Sequence, residues 1–105
     1  KRSPHPGAPS RTAWYASRLA TPAELRGREI LAVFGGGGDT VTLYLNGQSA
    51  GEHTVPDEAS KRKPFPIRID PVIDWDRPFQ TLTVRVENRG GLGGLYDRIW
   101  IVSKQ

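Results

Sequence analysis

His53, the carboxylates Asp39, Asp70, Asp74 and Asp76, and the glycine runs at 35–38 and 90–94 are the groups in this chain whose types could do chemistry. Histidine works in acyl transfer beside a matched serine or cysteine nucleophile. None is evident for His53, which reads instead as a strand-end residue bonded to backbone. The chain has no cysteine, which removes thiolate chemistry, disulfides and the usual zinc frameworks. The three aspartates around Trp75 offer the oxygen ligands that calcium takes, but not at EF-hand spacing. Solvated loop acids are the expectation there, with a structural calcium as the alternative and no other cofactor or metal. The glycine runs lack G-x-G-x-x-G spacing and a following Lys-Ser or Lys-Thr. They read as positive-φ corners between strands. No catalytic residue is assigned.

What remains is recognition. A ligand with an apolar C–H face and many hydroxyls is held by an aromatic ring flanked by hydrogen-bonding groups. Trp14 and Tyr96 supply rings, and Asp39, Asn88 and Arg89 supply donors and acceptors near the glycine runs. His53 joins them as a ligand-contact candidate. Against this, Trp14 and Trp100 are expected in the core, as most tryptophans are largely buried. Trp75 is expected at the opposite end of the molecule, against a neighbouring domain.

The elements that must position these residues are strands. Val41, Leu43 and Leu45 alternate with Thr42 and Tyr44, and Leu82, Val84 and Val86 with Thr83 and Arg85. Phe65, Ile67 and Ile69 repeat the pattern around Pro66, which places that strand at an edge. Seven extended segments follow, at 14–19, 28–34, 41–45, 49–53, 65–70, 81–87 and 96–102. Asn46-Gly47 has the composition of a tight hairpin turn. Thr21-Pro-Ala-Glu24 reads as a capping box opening one short helical turn over 22–26. The expected fold is all-β, an antiparallel β-sandwich with that one helical turn. Alternating strand direction gathers loops 35–40, 54–64 and 88–95 at one end, and 20–27, 46–48 and 71–80 at the other. Loop clusters on rigid scaffolds are where binding sites concentrate.

A chain of 105 residues with twelve glycines and nine prolines suits one turn-rich domain. Residues 1–12 read as a linker or disordered lead-in, and 13–105 as the sandwich. The formal charge of +4 is concentrated in that lead-in, where Lys1, Arg2 and Arg11 face no acids. The rest is nearly neutral and carries no basic stripe interleaved with aromatics, so no nucleic-acid partner is expected. No apolar run is long enough to span a bilayer, so no membrane partner is expected either. Lys61-Arg62-Lys63 reads as a solvated loop with a weak bias toward anionic glycans. With no methionine, Lys1 does not follow a retained initiator, and the chain reads as a processed product or a piece of something longer.

Several motifs occur in a telling order: Trp14-Tyr15, Leu25-x-Gly-Arg-x-Ile-Leu-x-Val-Phe-Gly35, Leu43-Tyr-Leu-Asn-Gly-Gln-x-x-Gly-Glu-His53, Leu82-x-Val-Arg-Val-Glu-Asn88 and Gly93-Gly-Leu-Tyr96. From Trp14 to Val102 the chain resembles the galactose-binding-like jelly roll. It is similar to the sugar-binding domain of family 2 glycoside hydrolases and to ancillary domains of sialate O-acetylesterase-type enzymes. Two departures stand out. The family carries further strands before Trp-Tyr, and a glycine-rich aromatic segment where this chain has 54–64. The resemblance implies a non-catalytic, secreted or periplasmic carbohydrate-binding module of a larger bacterial enzyme. Its partners would be a glycan, held weakly at the loop end, and the neighbouring catalytic domain. The alternative is a bracing domain with no ligand of its own.

Overall fold

The computed structural model describes residues 11–55, 63–88 and 99–104. Among the described residues there are seven strands: β1 (Arg11–Ala20), β2 (Glu29–Phe34), β3 (Thr40–Leu45), β4 (Gln48–Thr54), β5 (Phe65–Arg68), β6 (Phe79–Asn88) and β7 (Ile99–Lys104). They form a four-stranded sheet, β1-β6-β3-β4, and a three-stranded sheet, β5-β2-β7. All pairings are antiparallel. The expected all-β sandwich is therefore the fold. Pro66 sits on β5, which among the described strands is an edge paired only with β2, so its missing N–H costs no ladder bond there.

The alternating residues meet between the sheets as their parity requires. Leu43, Leu45, Ile67, Ile69, Leu82, Val84 and Val86 are all buried, together with Ile30, Ala32, Phe34 and Phe65. β6 is central in its sheet and alternates over its full length, burying Gln80, Leu82, Val84, Val86 and Asn88. Phe34 and Phe65 stack at 5.0 Å across the β2–β5 pair.

Asn46 and Gly47 adopt φ of 51° and 84°, the left-handed pair that a two-residue hairpin needs. Asn46 then bonds twice to Thr81, donating its N–H to the carbonyl at 2.8 Å and accepting the Thr81 N–H at 2.8 Å on its side-chain oxygen. A Cβ at Gly47 would meet nothing within 4 Å, so substitution there carries only the conformational cost. Gly47→Val is expected to lose about 1–2 kcal/mol through left-handed strain. Equilibrium urea unfolding checks this, and a variant as stable as the parent contradicts it.

Two local expectations are corrected. The capping box does not form: the helical turn shrinks to a 3-10 turn at Ala23–Leu25, capped by Pro22 with no side-chain cap bond. Thr21 is buried instead, its hydroxyl donating to the Arg77 carbonyl at 3.4 Å and accepting from Gln80. A tertiary network thus outbids the local cap. The strand expected over 65–70 stops at Arg68 and gives way to a 3-10 turn at Asp70–Val72. The Asp70 carboxylate accepts the Ile30 N–H at 3.1 Å and two Arg68 bonds at 2.8 and 3.0 Å, tying that turn to β2.

The placement of the tryptophans is a further correction. Trp14 is 59% and Trp100 42% exposed, so neither is a core residue. Except for Phe79, which lies under the Arg18 guanidinium at 4.6 Å, the exposed large apolar residues lie on β1 and β7. Among the described strands both are at a sheet edge, with a neighbour on one side only. Tyr15 pairs with Val84, and Ile101 with Ala32, so both have core-facing parity yet remain partly open.

Candidate functional site

The outer face of the four-stranded sheet carries the most distinctive arrangement. Trp14, Arg85, Thr42 and Glu52 form one cross-strand row over β1, β6, β3 and β4. The next row places Ala16, Thr83 and Tyr44 side by side. Paired residues in antiparallel strands point to the same face, and these are out of phase with buried Val84, Leu43 and Val86. Ala16 and Thr83 are short, which leaves a floor on which two rings can meet across β6. Trp14 and Tyr44 do so, with centroids 6.1 Å apart and planes at 29°. The Arg85 guanidinium lies 5.9 Å from the Trp14 ring centre and pairs with Glu87 at 3.4 Å. Thr42, covered by these neighbours, donates to Glu52 at 3.4 Å. The result is a shallow aromatic surface bordered by a guanidinium, carboxylates and hydroxyls.

The other expected residues fall near the same end of this sheet. Asn88 and Glu87 close β6 beside Arg11 and Thr12 of β1, and Glu87 also pairs with Thr40. Asp39 immediately precedes β3, and its carbonyl accepts the Val55 N–H at 2.9 Å. Loops 35–40 and 54–55 therefore converge as strand alternation requires. Asn88 is buried at 5% exposure, and both Asp39 and Asn88 hold polar partners. Trp14 stands three residues along β1 from the Asn88 pairing, about 10 Å at strand rise. Arg89 and Tyr96 lie outside the described residues.

His53 pairs with Val41 and so shares its inward parity. Its ring stacks on Phe65 at 3.9 Å, nearly parallel. Together with Phe34 this makes a three-ring column at the β4–β5 edge of the core. Burial pushes the imidazole below its ordinary pKa, since charging it there forfeits hydration. Two of the three clustered aspartates, Asp70 and Asp74, are taken up internally. The Asp70 carboxylate is held below the usual range by its Arg68 hydrogen bonds and the Ile30 N–H. Asp74 pairs with Arg77 at 3.2 Å and accepts the Asp76 N–H at 3.0 Å. Among the described residues no three His, Cys, Asp or Glu side chains come together as a metal-binding group.

Sequence reasoning did not find Tyr44 and Arg85 as companions of Trp14. The outward parity of both was readable, but their meeting depends on β6 lying between β1 and β3, a non-local fact. Gln80, the last residue of the expected 71–80 loop, carries no local signal of its role either. It is fully buried and binds the far end of the sandwich together. Its carbonyl oxygen accepts from Asn46 Nδ2 at 2.6 Å and the Asp74 N–H at 3.0 Å. Its amide donates to Thr21 Oγ1 at 3.0 Å and the Asp74 carbonyl at 2.9 Å.

Comparison with solved structures agrees with this architecture. The chain is similar to a β-glucuronidase of Bacteroides uniformis, at 25% identity and a TM-score of 0.71 over 88% of this chain and 12% of that one. It is similar to a putative β-galactosidase of Bacteroides fragilis, at 21% identity and a TM-score of 0.73, over 88% of this chain and 15% of that one. A β-glucuronidase of Ruminococcus gnavus matches at 18% identity and a TM-score of 0.71, over 88% and 19% of the respective chains. No family model matches the sequence, and no curated protein does. No helix among the described residues is long and apolar enough to cross a membrane. The chain spans a fifth or less of each of these three enzymes. It is a galactose-binding-like β-sandwich with the architecture of the sugar-binding domain of family 2 glycoside hydrolases.

Proposed function

We propose that this chain is a non-catalytic ancillary module of a larger secreted or periplasmic glycoside hydrolase, and that it holds a glycan on the outer face of its four-stranded sheet. The observation that carries this is the exposed Trp14 ring beside Tyr44, bordered by Arg85, Glu87 and Glu52. A pyranose lays its C–H face on such a surface while its hydroxyls exchange water for the polar rim. The similar enzymes are a β-galactosidase and β-glucuronidases, which makes oligosaccharides of galactose and glucuronate the first ligands to try. Affinity is expected to be weak, about 10 μM to 1 mM, because exchanged hydrogen bonds net little each.

Tryptophan fluorescence titration tests the proposal. Trp14→Ala should weaken binding about tenfold, the equivalent of one lost stacking contact. Trp100→Ala, on the other sheet, should leave it unchanged. Equal loss in both variants, or no change in either, refutes the assignment.

A bracing role is favoured by a separate observation and is compatible with the first. On the outer face of the three-stranded sheet, Pro66, Val33 and Trp100 form one row, and Leu31 and Val102 adjoin it. Trp100 and Val102 are about two-fifths exposed. This apolar face suits contact with the catalytic domain and lies opposite the Trp14 surface.

A further inference from the structure

At the end of the sandwich away from Asp39, two cavities of about 500 and 390 Å³ adjoin. Both are lined by Arg26 and Trp75, so they form one groove with those residues at its waist. The first continues past Asp76 and Arg77, and the second past Arg28, Glu29 and Arg68.

The charges in this groove are unequally engaged. Arg68 is taken up by Asp70 at 2.8 Å and reaches Glu29 at 3.9 Å, while Arg77 pairs with Asp74 at 3.2 Å. Arg26 and Arg28 have no ion pair among the described residues. They flank Gly27, whose φ of 91° reverses the chain between them. The turn is fixed by Arg26 N–H to the Ala23 carbonyl at 3.1 Å and Arg28 N–H to the Leu25 carbonyl at 3.1 Å. Two guanidinium groups with no ion pair among the described residues therefore stand on a backbone-bonded turn beside a partly exposed indole.

We infer that this groove is a second saccharide site, distinct from the Trp14 face and selective for a carboxylate-bearing sugar. The planar carboxylate matches the guanidinium fork of Arg26 or Arg28. The ring packs on Trp75, and its hydroxyls donate to Asp76 and Glu29, whose carboxylates accept only. A polyacidic peptide brings the charge without the hydroxyls that those two acids accept. This inference does not rest on the Trp14 surface, and either can fail alone.

The test is NMR titration of the ¹⁵N-labelled chain with trigalacturonate, neutral galactotriose and a triglutamate peptide. Trigalacturonate is expected to shift the amides of 26–28 and the Trp75 indole, with at least fivefold weaker responses there to the other two. R26Q/R28Q should weaken trigalacturonate binding at least tenfold, R26K/R28K should restore part of it, and Trp14→Ala should leave it intact. Both arginines lie toward the surface in a turn held by backbone bonds, and an unchanged spectrum elsewhere verifies that the variants are folded. The inference is overturned if galactotriose or triglutamate binds the groove as well as trigalacturonate. It is equally overturned if R26Q/R28Q binds as the parent does, or if trigalacturonate leaves 26–28 and Trp75 unshifted.

Discussion

Replacing Gln80 by leucine is expected to lower unfolding free energy by about 2–4 kcal/mol, from one buried and several half-buried polar groups left unpaired, the fully buried ones at roughly 1–3 kcal/mol each. Gln80 is fully buried, and its side chain joins the 20–22 turn, the Asn46-Gly47 hairpin and the 74–78 loop. Leucine fills a similar volume, so cavity formation is a minor component and the loss reports on polar satisfaction. Asn46 Nδ2, the Asp74 N–H and the Asp74 carbonyl would each lose the Gln80 partner. A double-mutant cycle with Asn46→Ala should show strong coupling, since the two amides share a 2.6 Å bond. Urea unfolding of the four proteins measures both quantities. A Q80L variant within 1 kcal/mol of the parent contradicts the assignment of Gln80 as the bond that closes this end.

Gly38→Ala is expected to cost about 2 kcal/mol, the usual scale for overpacking a tight site. Gly38 is buried, and an added Cβ would lie 2.7 Å from Val86 Cγ1 and 2.8 Å from the Glu87 carbonyl oxygen. The first atom can rotate away. The second belongs to the backbone of β6, which is fixed on both sides by β1 and β3. Combining Gly38→Ala with Val86→Ala should recover only part of the interaction, because the carbonyl clash persists. Thermal and urea unfolding decide this, and an undiminished G38A rules out the close approach.

This glycine shows what the sequence could and could not convey. The run 35–38 reads as positive-φ corners, and Gly36 does take φ of 139°. Gly38 is required for a different reason, contact with a strand some fifty residues later. Local signals were legible where local physics decides. Strand alternation located the core, Asn46-Gly47 located the hairpin, and Pro66 located an edge strand. Signals failed where a distant partner competed. Thr21 has the right neighbours for a helix cap, yet Gln80 and the Arg77 carbonyl capture its hydroxyl. Trp14 and Trp100 stand on the outward parity of β1 and β7, and which parity of these strands faces the core is set by their partners β6 and β2 rather than by alternation alone.

The candidate site divides in the same way. Trp14 is recognisable from its residue type, whereas Tyr44 and Arg85 join it only once β1, β6 and β3 lie side by side. Asp39, Asn88 and His53 do gather near one end, as strand alternation required. His53, however, contributes its ring to the Phe65 stack, and the Asn88 side chain is buried.

The most direct test of the central claim is chemical-shift mapping of neutral galacto-oligosaccharide on the ¹⁵N-labelled chain. The account predicts shifts on the three strands beneath the rings, at residues 13–16, 42–44 and 83–85, with saturation at about 10 μM to 1 mM. It also predicts about tenfold weaker saturation of those shifts in Trp14→Ala at unchanged stability. Shifts confined to the outer face of the three-stranded sheet, around Leu31, Val33 and Trp100, or no shifts at millimolar sugar, would contradict it and leave the bracing role as the function of this domain.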